Sequence, residues 1–112
     1  MEIREQTVLI YIRPDGRRPY RDWRDSVADT KTQAVIAERL DRITRGLFGD
    51  CKPVGQGLLE LRIDFGPGYR LYMGRDGDAV VILLSSGDKG SQKKDIRLAQ
   101  SYWNDYRRRK SP

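Results

Sequence analysis

Arg62 and Arg70 are the residues whose type and spacing speak most directly of chemistry. Each sits in a run with a period of two. Leu59, Leu61 and Ile63 alternate with Glu60, Arg62 and Asp64, and Tyr69, Leu71 and Met73 alternate with Arg70 and Tyr72. In both runs the arginine points away from the apolar set. If the intervening turn, Asp64-Phe65-Gly66-Pro67-Gly68, keeps the apolar sets together, Arg62 and Arg70 come close to opposite each other. Like charges opposed across a strand pair repel, so stability alone does not call for this arrangement. Two planar guanidinium groups so placed would grip a phosphate. The competing reading is that Glu60, Asp64 and Asp88 neutralise them in ordinary surface ion pairs.

Further cations lie beyond these runs. Lys93 and Lys94 fall in the first turn of a helix expected to begin near Ser91, where the macrodipole disfavours cations. Lys89 stands just before it. Either a polyanion supplies the compensation, or Asp95 does. Arg107-Arg108-Arg109-Lys110 ends the same helix, where cations are favoured in any case. Trp103 and Tyr106 could stack on bases, but their helical spacing reads as core packing. Cys51, beside Lys52, has no histidine to activate it and reads as incidental.

The elements that must position these groups follow from hydrophobic period and turn signals. Thr7–Ile12 is an apolar, β-branched strand stopped by Pro14-Asp15-Gly16. Pro19 opens a short helix with Tyr20, Trp23 and Val27 on one face. Thr30 with Gln33 fits a capping box for a second helix carrying Ile36, Leu40, Ile43 and Leu47, ending near Arg45 with Gly46 at C′. Gly49–Gly57 reads as a loop. Two strands follow, then a two-residue turn at Asp76-Gly77, which would oppose Met73 to Val80, Leu71 to Ile82 and Tyr69 to Leu84. Ala79–Leu84 is a third, more apolar strand. Gly87 and Gly90 bracket a turn, and the final helix presents Ile96, Ala99, Trp103 and Tyr106. The order β-α-α-β-β-β-α predicts one α+β domain over residues 1–112: a small antiparallel sheet with a helical hairpin on one face and a C-terminal helix.

Charge and composition narrow the function classes. The chain has 112 residues, 22 Lys+Arg, 16 Asp+Glu and a net charge of +6. Residues 1–88 are balanced, and residues 89–112 carry the whole excess. A neutral body with a basic end suits an anionic partner. The absence of histidine excludes His-type metal sites and Ser-His or Cys-His triads, and no cofactor is expected. The single cysteine has no internal disulfide partner. The longest apolar run, Ala79–Leu84, is far short of a membrane span, and the opening Met1-Glu2-Ile3-Arg4-Glu5 has no apolar signal region. A cytoplasmic protein is the expectation.

Glu60-Leu61-Arg62-Ile63-Asp64-Phe65-Gly66-Pro67-Gly68-Tyr69-Arg70 resembles the central segment of the addiction module killer proteins, a group of the RelE/ParE (HigB-like) toxins of bacterial type II toxin–antitoxin pairs. Gly87-Asp88-Lys89, Ser91-Gln92, Asp95-Ile96 and Tyr102-Trp103 resemble it too, as does Pro14-Asp15-Gly16-Arg17 through Trp23. The resemblance implies a RelE/ParE-like fold and a cognate helix-turn-helix antitoxin that forms a hetero-oligomer with the toxin. It also implies one of two activities: ribosome-dependent cleavage of mRNA, or ParE-like inhibition of DNA gyrase without catalysis. A non-catalytic nucleic-acid-binding module is a third reading. For RNA cleavage, Arg62 and Arg70 would hold the phosphate and Lys89 would stabilise charge or donate a proton. Tyr72 and Asp88 are further catalytic candidates, and Lys93, Lys94, Arg97 and Lys52 are RNA-binding candidates.

Overall fold

A computed structural model of the chain describes residues 3–110. Met1 and Glu2 of the opening stretch lie outside them. The elements run β1 (Thr7–Ile10), α1 (Pro19–Ser26), α2 (Thr30–Thr44), β2 (Cys51–Gly55), β3 (Leu58–Ile63), β4 (Tyr69–Asp76), β5 (Val80–Asp88) and α3 (Gln92–Lys110), with a 3-10 turn at Lys89–Ser91 leading into α3. The five strands form one sheet in the order β1-β5-β4-β3-β2.

The α+β class and the element order hold, with two corrections. The sheet is mixed, because β1 pairs parallel with β5 while the other pairs are antiparallel. It also has an additional strand: the segment expected to be a loop forms β2 on the outer edge of β3. An edge position tolerates Pro53, whose missing N–H is not needed on the solvent side, and the register shifts between Pro53 and Gly55.

The β3–β4 pairing is as expected, with Arg62 opposite Arg70. The β4–β5 pairing is not. Asp76 pairs with Val80, so the loop holds three residues, Gly77-Asp78-Ala79, rather than two. A bulge between Tyr72 and Met73 then inserts Leu84. Met73 consequently opposes Leu83, Leu71 opposes Ser86 and Tyr69 opposes Asp88. A register change by an odd number of residues turns a strand over. Val81 and Leu83, not Val80, Ile82 and Leu84, therefore join Leu71 and Met73 beneath the first two helices.

That face is packed by Tyr20 of α1 and Ile36 and Ile43 of α2 against Leu61, Ile63, Leu71, Met73, Val81 and Leu83. The first helix starts at Pro19, as its fixed φ favours. The second is capped one residue earlier than expected: the Asp29 carboxylate accepts from the Lys31 N–H and the Thr32 hydroxyl. Gly46, at φ +85°, closes it as C′.

The opposite face is covered by α3. Ala99 and Trp103 pack on Leu58, Tyr72, Ile82, Leu84 and Tyr11. Close approach depends on Gly74, because a Cβ there would clash with the Trp103 ring. Both faces of β5 are therefore buried, which explains its continuous apolar run. No helix of the described residues is long and apolar enough to cross a membrane.

Candidate functional site

The end of the β3–β4 hairpin and the start of α3 enclose a pocket of about 220 Å³ lined by Arg62, Arg70, Lys89, Asp50, Asp64 and Tyr69, among others. Three of the five residues put forward as catalytic thus converge on one cavity. Register explains the arginines: paired residues of neighbouring strands share a face, here the face towards α3. Lys89 arrives from the other side, in the 3-10 turn after β5. Its stem crosses Gly68, where an added Cβ would lie 2.8 Å from Lys89 Cε. Gly68 also holds φ +85° and closes the hairpin turn by donating its N–H to the Phe65 carbonyl at 3.0 Å. The glycine thus shapes the turn and makes room for the lysine. Lys89 forms no ion pair or hydrogen bond with any described residue, so its ammonium is available to a ligand.

The repulsion between the two arginines is resolved by Glu60, one of the three carboxylates expected to neutralise them, but not at the surface. This carboxylate is wholly buried, not part of a surface pair. Oε1 accepts from Arg62 Nε at 3.1 Å and Arg70 Nη1 at 2.8 Å, and Oε2 accepts from Gln92 Nε2 at 2.8 Å. Burial alone would raise the Glu60 pKa. The bonds from Gln92 and Arg62 and the charge of Arg70 outweigh it, so the group is held below the usual glutamate value. Arg70 is 15% exposed and Arg62 38%, so Arg62 is the more accessible to a ligand. Arg39 of α2 fixes the strand behind, donating Nη1–H to the Arg62 carbonyl at 2.6 Å.

Tyr72 and Asp88 are not brought to the pocket. Tyr72 is fully buried under α3, and burial together with the nearby Glu60 and Asp95 carboxylates pushes its hydroxyl far up, so it stays protonated. Asp88 caps the turn into α3, accepting from the Gly90 N–H at 2.9 Å and the Ser91 N–H at 3.2 Å. Cys51 is half-buried, and burial raises its thiol pKa to about 11, so it is no nucleophile.

Lys93, Lys94 and Arg97 line a shallow surface that shares Lys89 with the pocket, so the cations of the first α3 turns continue the site outward. Lys52 is exposed on β2, paired with Glu60 and on the same sheet face as the arginines, but outside the pocket. At the far end of α3, Asp105 pairs with Arg108 and Arg109, and Asp76 with Lys110. Gln92 and Arg39 went unread in the sequence as parts of the site, and Glu60 was read only as a surface ion-pair partner. The signal for Glu60 was present, as the one acidic position on the arginines' side of β3; the other two required the fold. No group of three or more possible metal ligands occurs among the described residues.

No family model matches the chain. Over 78 residues, covering 70% of it and 79% of the relative, it is 44% identical to an uncharacterized protein of Haemophilus influenzae.

Proposed function

The chain belongs to the same family as that Haemophilus influenzae protein, and we propose that it is the toxin of a type II toxin–antitoxin pair that cleaves mRNA on the ribosome. The observation that carries this reading is the convergence of Arg62, Arg70 and Lys89 on one pocket, continuous with the basic start of α3. The resemblance of the 60–70 segment to the RelE/ParE toxins supports it independently.

In the proposed reaction a ribose 2′-OH attacks the adjacent 3′-phosphorus and the bond to O5′ breaks. The products are a 2′,3′-cyclic phosphate and a 5′-OH. Arg62 and Arg70 hold the non-bridging oxygens and stabilise the added negative charge. Lys89 stands where it can give the leaving O5′ its proton. Asp50 and Asp64, in the same wall, are the groups placed to take the proton of the 2′-OH. Lys93, Lys94 and Arg97 guide the flanking chain by its phosphates. A helix-turn-helix antitoxin covering this basic surface belongs to the same proposal.

Transcript end-mapping after induction tests it. Growth arrest should coincide with new 5′-OH ends within translated messages. Lys89→Ala should lower cleavage by about 10²-fold or more, the usual cost of losing one charge-stabilising group, while leaving the fold intact. Intact mRNA during arrest would overturn the reading, and gyrase-linked DNA breaks in its place would identify the other target.

A further inference from the structure

We infer that Glu60 is a positioning residue for the arginine pair: its buried carboxylate fixes both guanidinium groups from behind and offsets one of their two charges, which favours an internal phosphodiester over a terminal phosphate dianion. The inference rests on the phosphate-binding reading of the pocket and deepens it by naming the ligand class.

The geometry is specific. Arg62 is held through Nε, which leaves its two terminal nitrogens free to face the cavity. Arg70 is held through Nη1, which leaves Nη2. A single oxygen, Glu60 Oε1, makes both bonds, so the two planes are fixed relative to each other as well as to the sheet. The second oxygen takes Gln92 Nε2, which ties the first turn of α3, and with it the approach of Lys89, to the same anchor. The carboxylate has no exposure to water, so its donors are protein groups: the two arginines, Gln92 and the neighbouring Tyr72 hydroxyl. An arginine pair that served only to attract anions would gain from losing this charge. Instead it is kept and enclosed, so the pair gives up attraction in exchange for fixed direction. A phosphodiester within an RNA chain carries one negative charge. A terminal monoester approaches two near neutral pH.

Glu60→Gln and Glu60→Asp test this, with the wild-type chain as reference. The probes are a short single-stranded RNA, inorganic phosphate, and NMR of the arginine Nε–H groups. In the wild-type protein the Arg62 Nε–H should be slowly exchanging, and RNA should bind in preference to phosphate. Glu60→Gln should lose the slow Arg62 signal, bind inorganic phosphate several-fold more tightly, and cleave mRNA on ribosomes at least ten-fold more slowly without weaker RNA binding. Glu60→Asp keeps the charge that balances the arginines. It should fold even where Glu60→Gln does not, with phosphate affinity near wild type but the Arg62 signal and the cleavage rate reduced. A Glu60→Gln protein with unchanged arginine signals and wild-type cleavage overturns the inference while leaving the nuclease reading standing. A wild-type protein that never cleaves RNA, yet shows these arginine and phosphate effects, overturns the nuclease reading alone. If Glu60→Gln fails to fold and Glu60→Asp keeps both the signal and the rate, the positioning role is wrong.

Discussion

The two faces of the sheet solve different problems. Under α1 and α2 the sheet contributes Leu61, Ile63, Leu71, Met73, Val81 and Leu83, and the packing is aliphatic and aromatic. Under α3 the apolar residues are interrupted by the buried side chains of Glu60, Ser85 and Asp95. Ser85 donates its hydroxyl to the Asp95 backbone carbonyl at 3.0 Å, and a Cβ on Gly87 would overlap the Asp95 carboxylate. The first face tolerates exchange of one hydrophobe for another of similar volume. The second requires particular groups at particular places, because each buried polar atom needs its partner. It is the second face that ends in the arginine pocket. The difference teaches that both sides of the strands contribute apolar burial, while the direction of the functional groups is supplied from the α3 side alone.

The largest effect that would sharpen the contrast is on the apolar face. Ile36→Ala should destabilise the fold by about 2–5 kcal/mol in urea unfolding, without changing phosphate affinity of the molecules that remain folded. A change in affinity would mean that the faces are not independent. Gly74→Ala, across the sheet, should cost about 1–3 kcal/mol by pushing Trp103 and α3 outward, and should shift tryptophan fluorescence.

The two buried carboxylates of the α3 face should titrate with opposite sign. Glu60 is held below its usual value of 4.5 by Gln92, Arg62 and Arg70 against the opposing effect of burial. Its stabilising contribution is present above that value and is lost as pH falls through the lowered one. Asp95 is held above its usual value of 3.8, first by burial, with Asp88 adding to it and Ser91 and Lys94 opposing. Its contribution is present below 3.8 and is lost as pH rises through the raised value. Unfolding midpoints from pH 3 to 7 should show a smaller acid-side loss in Glu60→Gln, the remainder coming from Asp29, Asp76 and Asp105, which are also held below their usual values. Asp95→Asn should raise neutral-pH stability relative to wild type. The smallest effect should come from Lys93→Ala, with stability within about 0.5 kcal/mol of wild type and the salt slope of RNA binding reduced by about one.

How much was legible in the sequence divides along the same line. Ile36, Leu40 and Ile43 of α2, its Gly46 close and the Arg62–Arg70 pairing followed from period and turn residues, which are local signals, whereas Leu47, expected on the same helix face, lies past the end of α2 and is exposed. The β4–β5 register failed because the Tyr72/Met73 bulge and the three-residue loop leave no local mark beyond Asp76-Gly77. Edge strand β2 was hidden by Pro53 and Gly55, both turn formers elsewhere. In the site, Arg62, Arg70 and Lys89 were readable because unpaired like charge is conspicuous. The Glu60–Gln92 bond joins residues far apart in sequence, and nothing in either segment announces the other. The burial of Tyr72 was not legible because no local signal shows that α3 covers the side of β4 away from the first helices.

The parallel pairing of β1 with β5 also sets an order in time. Thr7 to Ile10 find their strand partners in Val80 to Leu83, far along the chain. Closing so long a loop is slow compared with forming the helices or the β3–β4 hairpin. Lys89 and Gln92 follow β5 in the chain, so the pocket is assembled last, from residues translated after most of the sheet. A nascent chain therefore carries both arginines before it carries the lysine and the glutamine that complete the site.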